Sequence, residues 1–145
     1  MNITFRKALL EDYDNIMVLL RDLYDHDDID YETTKRIFGD RLLSDNNIGI
    51  VMIIDDKIIG YSHTIIVSDI QTQGSIGLLT EFVISANHRN KGYGNRLMDE
   101  TINQCKENGC IELRLTSNFR RGDAHRFYEN NGFSKTAYLY WKTIE

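Results

Sequence analysis

The fold is decided by the stretch from Leu78 to Met98, which reads LLTEFVISANHRNKGYGNRLM. An apolar run typical of a buried strand ends at Ser85, and a polar loop with two glycines follows it. From Tyr93 onward the apolar residues recur at helical spacing. The sequence therefore predicts a strand, a glycine-containing loop and a helix in direct succession.

The loop in this stretch is suited to binding an anion. Gly92 and Gly94 permit backbone angles closed to other residues and allow a ligand to approach closely, while Arg89 and Lys91 add positive charge. The first turn of the following helix adds unpaired N–H groups and the positive end of the helix dipole. A phosphate or pyrophosphate is the ligand that this arrangement favours.

Two common nucleotide-binding motifs do not fit the loop. A dinucleotide fingerprint requires a third glycine at the position of Leu97, and a P-loop requires Gly-Lys-Ser/Thr. Here Lys91 precedes Gly92, and Tyr93 follows it. The ligand must therefore be sought among other phosphate-bearing molecules.

Two segments together resemble one known family. The pattern Arg89-x-x-Gly92-x-Gly94, placed after a strand that contains Glu81-Phe82-Val83, resembles the acetyl-CoA pyrophosphate motif of the GNAT N-acyltransferase superfamily. The segment from Asn118 to Phe133 is similar to the part of that family in which an asparagine and a tyrosine precede Gly-Phe. With the order of hairpin and helices, the resemblance covers nearly the whole chain.

The resemblance implies a fold and a co-substrate. The expected fold is a single α/β (α+β) domain over residues 1–145, with a mixed, mostly antiparallel sheet and helices on both faces. A central pair of parallel strands would splay around acetyl-CoA. The main chain around Val83 would bind the pantetheine arm, and the loop N–H groups would bind the pyrophosphate. The residues implied in cofactor binding are Phe82, Val83, Arg89, Asn90, Lys91, Gly92, Tyr93, Gly94, Asn95 and Asn118.

Aminolysis of a thioester needs a proton acceptor for the amine, a donor for the oxyanion and a proton for the leaving thiolate. Tyr128 is the candidate acid, with a role as a core aromatic as the alternative. Glu81, the charged residue of an otherwise apolar strand, is the candidate base; alternatively it is paired, or set at a widening in the sheet. Some members of the family use a water chain instead. The main-chain N–H of Val83 is the expected donor to the carbonyl.

Composition and residue spacing limit the partners, location and metal content that the protein is expected to have. The formal net charge of −5 argues against non-specific nucleic-acid binding. Neither a targeting signal nor a membrane span is recognisable, which indicates a cytoplasmic location without membrane association. Cys105 and Cys110 are interpreted as reduced packing residues. No metal is expected, because His88 and His125 have no partners at ligand spacing.

The predicted function is N-acetyl transfer from acetyl-CoA to a primary amine by direct attack in a ternary complex. Carboxylates between Asp25 and Glu32 favour a small cationic amine as acceptor, although a solvated, helix-capping loop is the plainer interpretation. The acceptor pocket is expected to be formed by the first two helices, the hairpin strand near Tyr61 and His63, and the C-terminal strand near Tyr138 and Tyr140. A non-catalytic acyl-CoA sensor and an unrelated phosphate-binding domain are the alternatives. A homodimer is possible, because dimers are common in the resembling family.

Three further local predictions concern element ends. Asp12 is predicted to cap the first helix, and Asp123 a short helix that precedes Gly132. The residues from Phe133 through Tyr138 and Trp141 are predicted to form a final strand.

Overall fold

The computed structural model describes residues 2–24 and 28–145. These residues form five strands and four α-helices. In chain order the elements are β1 (Ile3–Lys7), α1 (Tyr13–Arg21), α2 (Tyr31–Leu42), β2 (Asn47–Ile54), β3 (Lys57–Asp69), β4 (Gly74–Ile84), α3 (Tyr93–Glu107), β5 (Cys110–Leu115) and α4 (Gly122–Asn130). Short 3-10 turns occupy Leu10–Asp12 and Ala86–His88.

The strands form one sheet in the order β1-β2-β3-β4-β5. Antiparallel pairing joins β1 to β2, β2 to β3 and β3 to β4, whereas β4 and β5 run parallel. This is the mixed, mostly antiparallel sheet that was predicted. The chain divides into two compact units, residues 1–114 and residues 115–145, which are described in turn.

Alternation along the strands buries both faces of the sheet in the first unit. Val51, Tyr61 and Val83 pack with α1 on one face, where Ile16 and Leu20 supply the helix's apolar stripe. On the other face the buried cluster consists of Ile48, Ile50, Met52, Ile54, Ile59, Ile84, Tyr93, Leu97 and Cys105. The prediction of helices on both faces is thereby confirmed. Each fully buried aliphatic side chain contributes about 1.5–3 kcal/mol.

A bulge in β4 decides which face Glu81 occupies. His63 is paired with Glu81, but the next residue of β3, Thr64, is paired with Leu79, so Thr80 is the extra residue. The Thr80 hydroxyl donates to the His63 carbonyl over 3.2 Å. Leu79 shares the α3 face with Thr64, and in a regular strand Glu81 would share that face too. The bulge instead turns Glu81 towards α1 and α2.

Strand β5 accompanies the first half of β4. The Ile111 side chain lies 3.0 Å from the Cβ position of Gly74, and Leu113 lies 3.1 Å from that of Gly77. At this register β5 ends at Leu115, whereas β4 continues to Ile84. The predicted splaying of these two strands around a cofactor stays a prediction.

Asp12 occupies the N-cap position of α1, as predicted, but its side chain makes no capping hydrogen bond to that helix. Its carboxylate instead accepts from the Leu9 amide over 2.7 Å and closes the preceding 3-10 turn. The same carboxylate binds both terminal nitrogens of Arg6 at 2.7 and 3.0 Å. Asp12 therefore ties the end of β1 to the start of α1.

The second unit contains α4 and the C-terminal segment. Arg121, and not Asp123, is the residue that precedes α4; Asp123 lies in the first turn and pairs with Arg126. The predicted final strand is wrong, because residues 133–145, all of them described, form neither helix nor strand. Tyr138 and Trp141 are 77% and 92% exposed. An alternating sequence becomes a strand only where a partner strand satisfies its backbone groups.

Within the described ranges 2–24 and 28–145, the helices are all too short or too polar to cross a membrane.

Candidate functional site

The glycine loop joins the end of β4 to α3 through a left-handed residue. Gly92 immediately precedes α3, with φ +84, and a Cβ placed on it would meet nothing within 4 Å. The next residue, Tyr93, is buried and packs its ring 6.1 Å from that of His88. The start of α3 is therefore anchored on one side and open at Gly92, where a ligand can reach the first-turn amides.

Side-chain hydrogen bonds fix the loop against the strand. Arg89 donates from Nε to the Ile84 carbonyl over 2.9 Å, and Lys91 donates from Nζ to the Asn87 carbonyl over 3.3 Å. Asn90 has φ +61, so the chain turns sharply between these two cations. Both cations remain exposed beside the positive end of the 15-residue helix α3. Anions are stabilised at such a position by the helix dipole and the amide groups.

The predicted loop residues form one continuous segment with the strand residues before them. Val83 packs into the cluster under α1, and Phe82 packs against the cluster under α3. Gly94 and Asn95 follow Tyr93 in the first turn of α3. The structure thus places the residues from Phe82 to Asn95 in a single strand–loop–helix corner of the first unit.

Glu81 lies in an ion pair. Its carboxylate accepts a hydrogen bond from the guanidinium of Arg41, which projects from the last turn of α2. The side chains are 14% exposed for Glu81 and 23% for Arg41, so both charges are largely removed from water. Of the roles left open by the sequence, the paired one is what the structure shows.

The ion pair borders a cavity of about 190 Å³. Its other walls are mostly apolar and aromatic: Phe38 and Tyr61 are among the lining residues from α1, α2 and β3, and Tyr24 comes from the segment after α1. Burial raises the pKa of Tyr24, and the negative charge of Glu81 raises it further. A cavity with one cation, one anion and protonated phenols can bind a small polar molecule.

A buried hydrogen-bond chain lies behind this cavity. The Tyr61 hydroxyl and His63 Nδ1 are 3.1 Å apart, and His63 Nε2 lies 2.6 Å from the Asn47 side-chain oxygen. Since Asn47 presents an oxygen, Nε2 carries the proton and Nδ1 accepts from Tyr61. Burial, assisted by the positive charge of Arg41, lowers the pKa of His63 to about 3. His63 is therefore a neutral, structural histidine, and Tyr61 is the member of the pair that lines the cavity.

The second motif lies in the second unit. The Asn118 side-chain oxygen accepts from the Arg120 amide over 2.9 Å. The main-chain carbonyl oxygen of Asn118 lies 2.8 Å from His125 Nε2. Tyr128, in the last turn of α4, is half-buried between aromatic neighbours, with its ring 5.9 Å from that of Phe133. Burial raises the pKa of Tyr128, and Arg121 lowers it by a smaller amount, so the phenol keeps its proton at neutral pH.

The acidic segment is only partly described. Asp25, His26 and Asp27 lie outside the described residues. Asp30 caps α2, because its carboxylate accepts from the Thr33 amide over 3.0 Å. Glu32 is exposed in the first turn of the same helix. The described acidic residues therefore include a helix cap, in line with the plainer interpretation of this segment.

Sequence reasoning missed Arg41 and Tyr24. Arg41 is separated from Glu81 by 40 residues, so only the packing of α2 over β4 brings them together. A usable signal was present, because a carboxylate in an apolar strand requires a cation and α2 supplies Phe38 and Arg41 on one face. Across the described ranges, histidine, cysteine and carboxylate side chains do not gather in a group of three that could hold a metal ion.

Comparison with known proteins gives consistent results. The model of the acetyltransferase (GNAT) family matches residues 9–133. The aminoalkylphosphonate N-acetyltransferase of Salmonella typhimurium is 24% identical over 139 residues, which cover 96% of this chain and 90% of that protein.

Two solved structures share the fold. A transcriptional regulator from Bacillus halodurans aligns with a TM-score of 0.87 at 23% identity, over 99% of this chain and 100% of the other. A glucosamine-6-phosphate N-acetyltransferase from Arabidopsis thaliana aligns with a TM-score of 0.80 at 21% identity, over the full length of both. The strand–loop–helix corner thus lies within a fold that these proteins share, and the chain belongs to the GNAT family of acetyltransferases.

Proposed function

We propose that the protein transfers the acetyl group of acetyl-CoA to the primary amine of a small molecule by direct attack in a ternary complex. The observation that carries this proposal is the corner at Gly92, whose left-handed backbone opens the start of α3 to an anion. The Salmonella relative is named for N-acetylation of aminoalkylphosphonates, which are small amines.

The residues of the corner fit the pyrophosphate of acetyl-CoA. A Cβ at Gly92 would occupy open space, and this is the space that a close-lying phosphate needs. The amides of Tyr93 and Gly94, with exposed Arg89 and Lys91, would hold the two phosphates. The main chain at Phe82 and Val83 would bind the pantetheine arm. The bound molecule supplies an activated acetyl thioester.

Glu81 is proposed as the group that removes the proton from the acceptor. An amine of ordinary pKa, about 10, arrives as an ammonium ion and cannot attack until it is deprotonated. The Glu81 carboxylate is the anion in the cavity wall, and it must exchange its contact with Arg41 for the ammonium. The amine nitrogen then forms its bond to the carbonyl carbon, while the Val83 N–H donates to the carbonyl oxygen.

Tyr128 is proposed as the acid. When the carbon–sulfur bond breaks, the sulfur keeps the electron pair and takes the phenolic proton. The amine loses two protons in all. The first leaves through Glu81, and the second passes to the Tyr128 phenolate and restores the phenol. The raised pKa of Tyr128 ensures that the phenol is protonated before each turnover. Asn118 is proposed to bind near the same sulfur.

The proposal is tested by acetyl-CoA-dependent thiol release over a panel of primary amines, with Tyr128→Phe as the key variant. Loss of a general acid lowers kcat by about 100-fold or more, and we expect little change in KM for acetyl-CoA. Tyr31→Phe is the control, because Tyr31 is 37% exposed and lies outside the cavity lining. An unchanged kcat in Tyr128→Phe would remove the acid role. Absence of thiol release with every amine, by a protein that binds CoA, would favour the acyl-CoA sensor.

A further inference from the structure

The cavity beside Glu81 contains a cation as well as an anion. Among its described lining residues the charged side chains are Arg41 and Glu81, so the described part of the lining has no net charge. The two are paired with each other and only 23% and 14% exposed. A ligand that binds Glu81 in this cavity must therefore also interact with its partner Arg41.

An acceptor with only an amine meets an obstacle there. If its ammonium takes the Glu81 carboxylate, Arg41 keeps its charge, because a guanidinium does not lose its proton in a protein. Among the described groups, two cations would then share the single carboxylate of Glu81, and the Arg41 and Glu81 side chains are both largely buried. Breaking a largely buried ion pair in this way is strongly unfavourable.

The other described groups on which the charge of Arg41 acts do not resolve this conflict. The groups behind it are Tyr61 and His63, and the charge of Arg41 acts on both. The Tyr61 hydroxyl donates a hydrogen bond to His63 Nδ1. The lone pairs of the phenolic oxygen therefore point elsewhere, where they can accept from the Arg41 guanidinium and orient it. These uncharged groups can hold Arg41 in place, but they supply no counter-charge.

The geometry points to an acceptor that carries an acidic group a few bonds away from its amine, with Arg41 as the receptor for that group. The ammonium replaces Arg41 at Glu81, and the acid replaces Glu81 at Arg41. One ion pair becomes two, and the cavity stays neutral. A guanidinium binds a carboxylate or a phosphonate through two parallel hydrogen bonds, which fixes the acceptor's orientation.

The size of the cavity limits the acceptor further. Its volume of about 190 Å³ lies below the roughly 300–1,000 Å³ of sites for drug-sized ligands. An amino acid, an aminophosphonate or an aminosulfonate fits such a volume. This inference rests on the proposed acetyl transfer, and it replaces the small, purely cationic amine that the acidic segment suggested.

The test compares acceptors in matched pairs that differ by the acid alone. Thiol release is measured with 2-aminoethylphosphonate and with β-alanine, each against ethylamine, and with putrescine as a dication. We expect kcat/KM for at least one acid-bearing member to exceed that of ethylamine by about tenfold or more. The phosphonate and the carboxylate arms show which acid Arg41 prefers.

The variant Arg41→Gln assigns the preference to this residue. We expect it to reduce the ratio of kcat/KM between the acid-bearing acceptor and ethylamine to near one, mainly through a higher KM for the acid-bearing acceptor. Arg36→Gln is the matched control, since Arg36 is exposed on the same helix and outside the cavity lining. It should keep the wild-type ratio.

Three results would overturn the inference. Ethylamine or putrescine as the best substrates would show that the acid is not needed, while leaving the acetyl transfer itself established. An acid preference that persists in Arg41→Gln would place the receptor elsewhere. Thiol release with none of the amines would instead refute the proposed transfer, and the inference with it.

Discussion

Replacement of Gly92 by alanine separates the backbone requirement of the fold from that of the ligand. Gly92 has φ +84 at the start of α3, and Gly109 has φ +83 just after its end. Neither position has any atom within 4 Å of an added Cβ. Gly109→Ala is therefore a control with the same backbone angle, the same free space and the same helix.

The two variants should lose similar amounts of stability. A non-glycine residue in the left-handed region costs about 1–2 kcal/mol. In a chain of this size each kcal/mol lowers Tm by about 2–4 °C. We expect both variants to unfold about 3–6 °C below wild type by differential scanning calorimetry.

Only Gly92→Ala should lose affinity for CoA. If alanine relaxes to negative φ, the Tyr93 amide turns away from the phosphate, and one charge-assisted hydrogen bond of about 2 kcal/mol is lost. That corresponds to a rise in Kd of about 30-fold. Isothermal titration calorimetry with CoA measures it directly. Equal Kd values for Gly92→Ala and wild type, or an equal loss in Gly109→Ala, would refute the placement of the phosphates at this corner.

Three further predictions concern stability. His63 has its pKa lowered to about 3, so the unfolded state binds the proton between pH 6.5 and 3; stability is fully present above pH 6.5 and declines as the pH falls. Between pH 7.5 and pH 5 the loss should be about 2 kcal/mol in urea titrations, and His63→Gln should flatten this slope. Thr101→Val leaves the buried Ser62 hydroxyl, 2.8 Å from the Thr101 hydroxyl in the native protein, without that partner. It should cost about 1–3 kcal/mol in urea unfolding, and adding Ser62→Ala should recover most of the loss. Asp12→Asn weakens the pair with Arg6 and should lower Tm measurably at pH 7 but little at pH 2, since the lowered pKa of Asp12 makes its contribution disappear in acid.

The sequence predicted those parts of the fold that local chemistry determines. The change from strand to helical spacing between Leu78 and Met98 predicted β4, the loop and α3 in the right order. Asp55 and Asp56 have φ +48 and +66 and form the tight turn between β2 and β3, a conformation that aspartate tolerates better than most residues. Gly109, with φ +83, follows the C-cap residue Asn108 of α3, a position where glycine commonly ends a helix. In each case a short segment contains all the information that is needed.

Features that depend on distant partners could not be predicted in this way. The strand expected after Phe133 has a suitable alternating pattern, but a strand also needs a neighbour. Asp12 takes the predicted N-cap position of α1, but its carboxylate binds Arg6 and the Leu9 amide of the preceding turn and not the amides of the helix. The sequence did not identify the partner of Glu81 for the same reason, because Arg41 reaches the carboxylate only through the tertiary packing of α2.

The bulge at Thr80 connects these observations to function. Without the extra residue Glu81 would face α3 and the apolar cluster around Leu97, where a carboxylate would have no counter-charge. With it, Glu81 faces α2, meets Arg41 and borders the cavity. The candidate base Glu81 is therefore paired with Arg41 when no acceptor is bound. A zwitterionic acceptor is the kind of ligand that can separate the two side chains without leaving a buried charge unpaired. Under the proposed mechanism, binding of the acceptor would therefore also free Glu81 to act as the base.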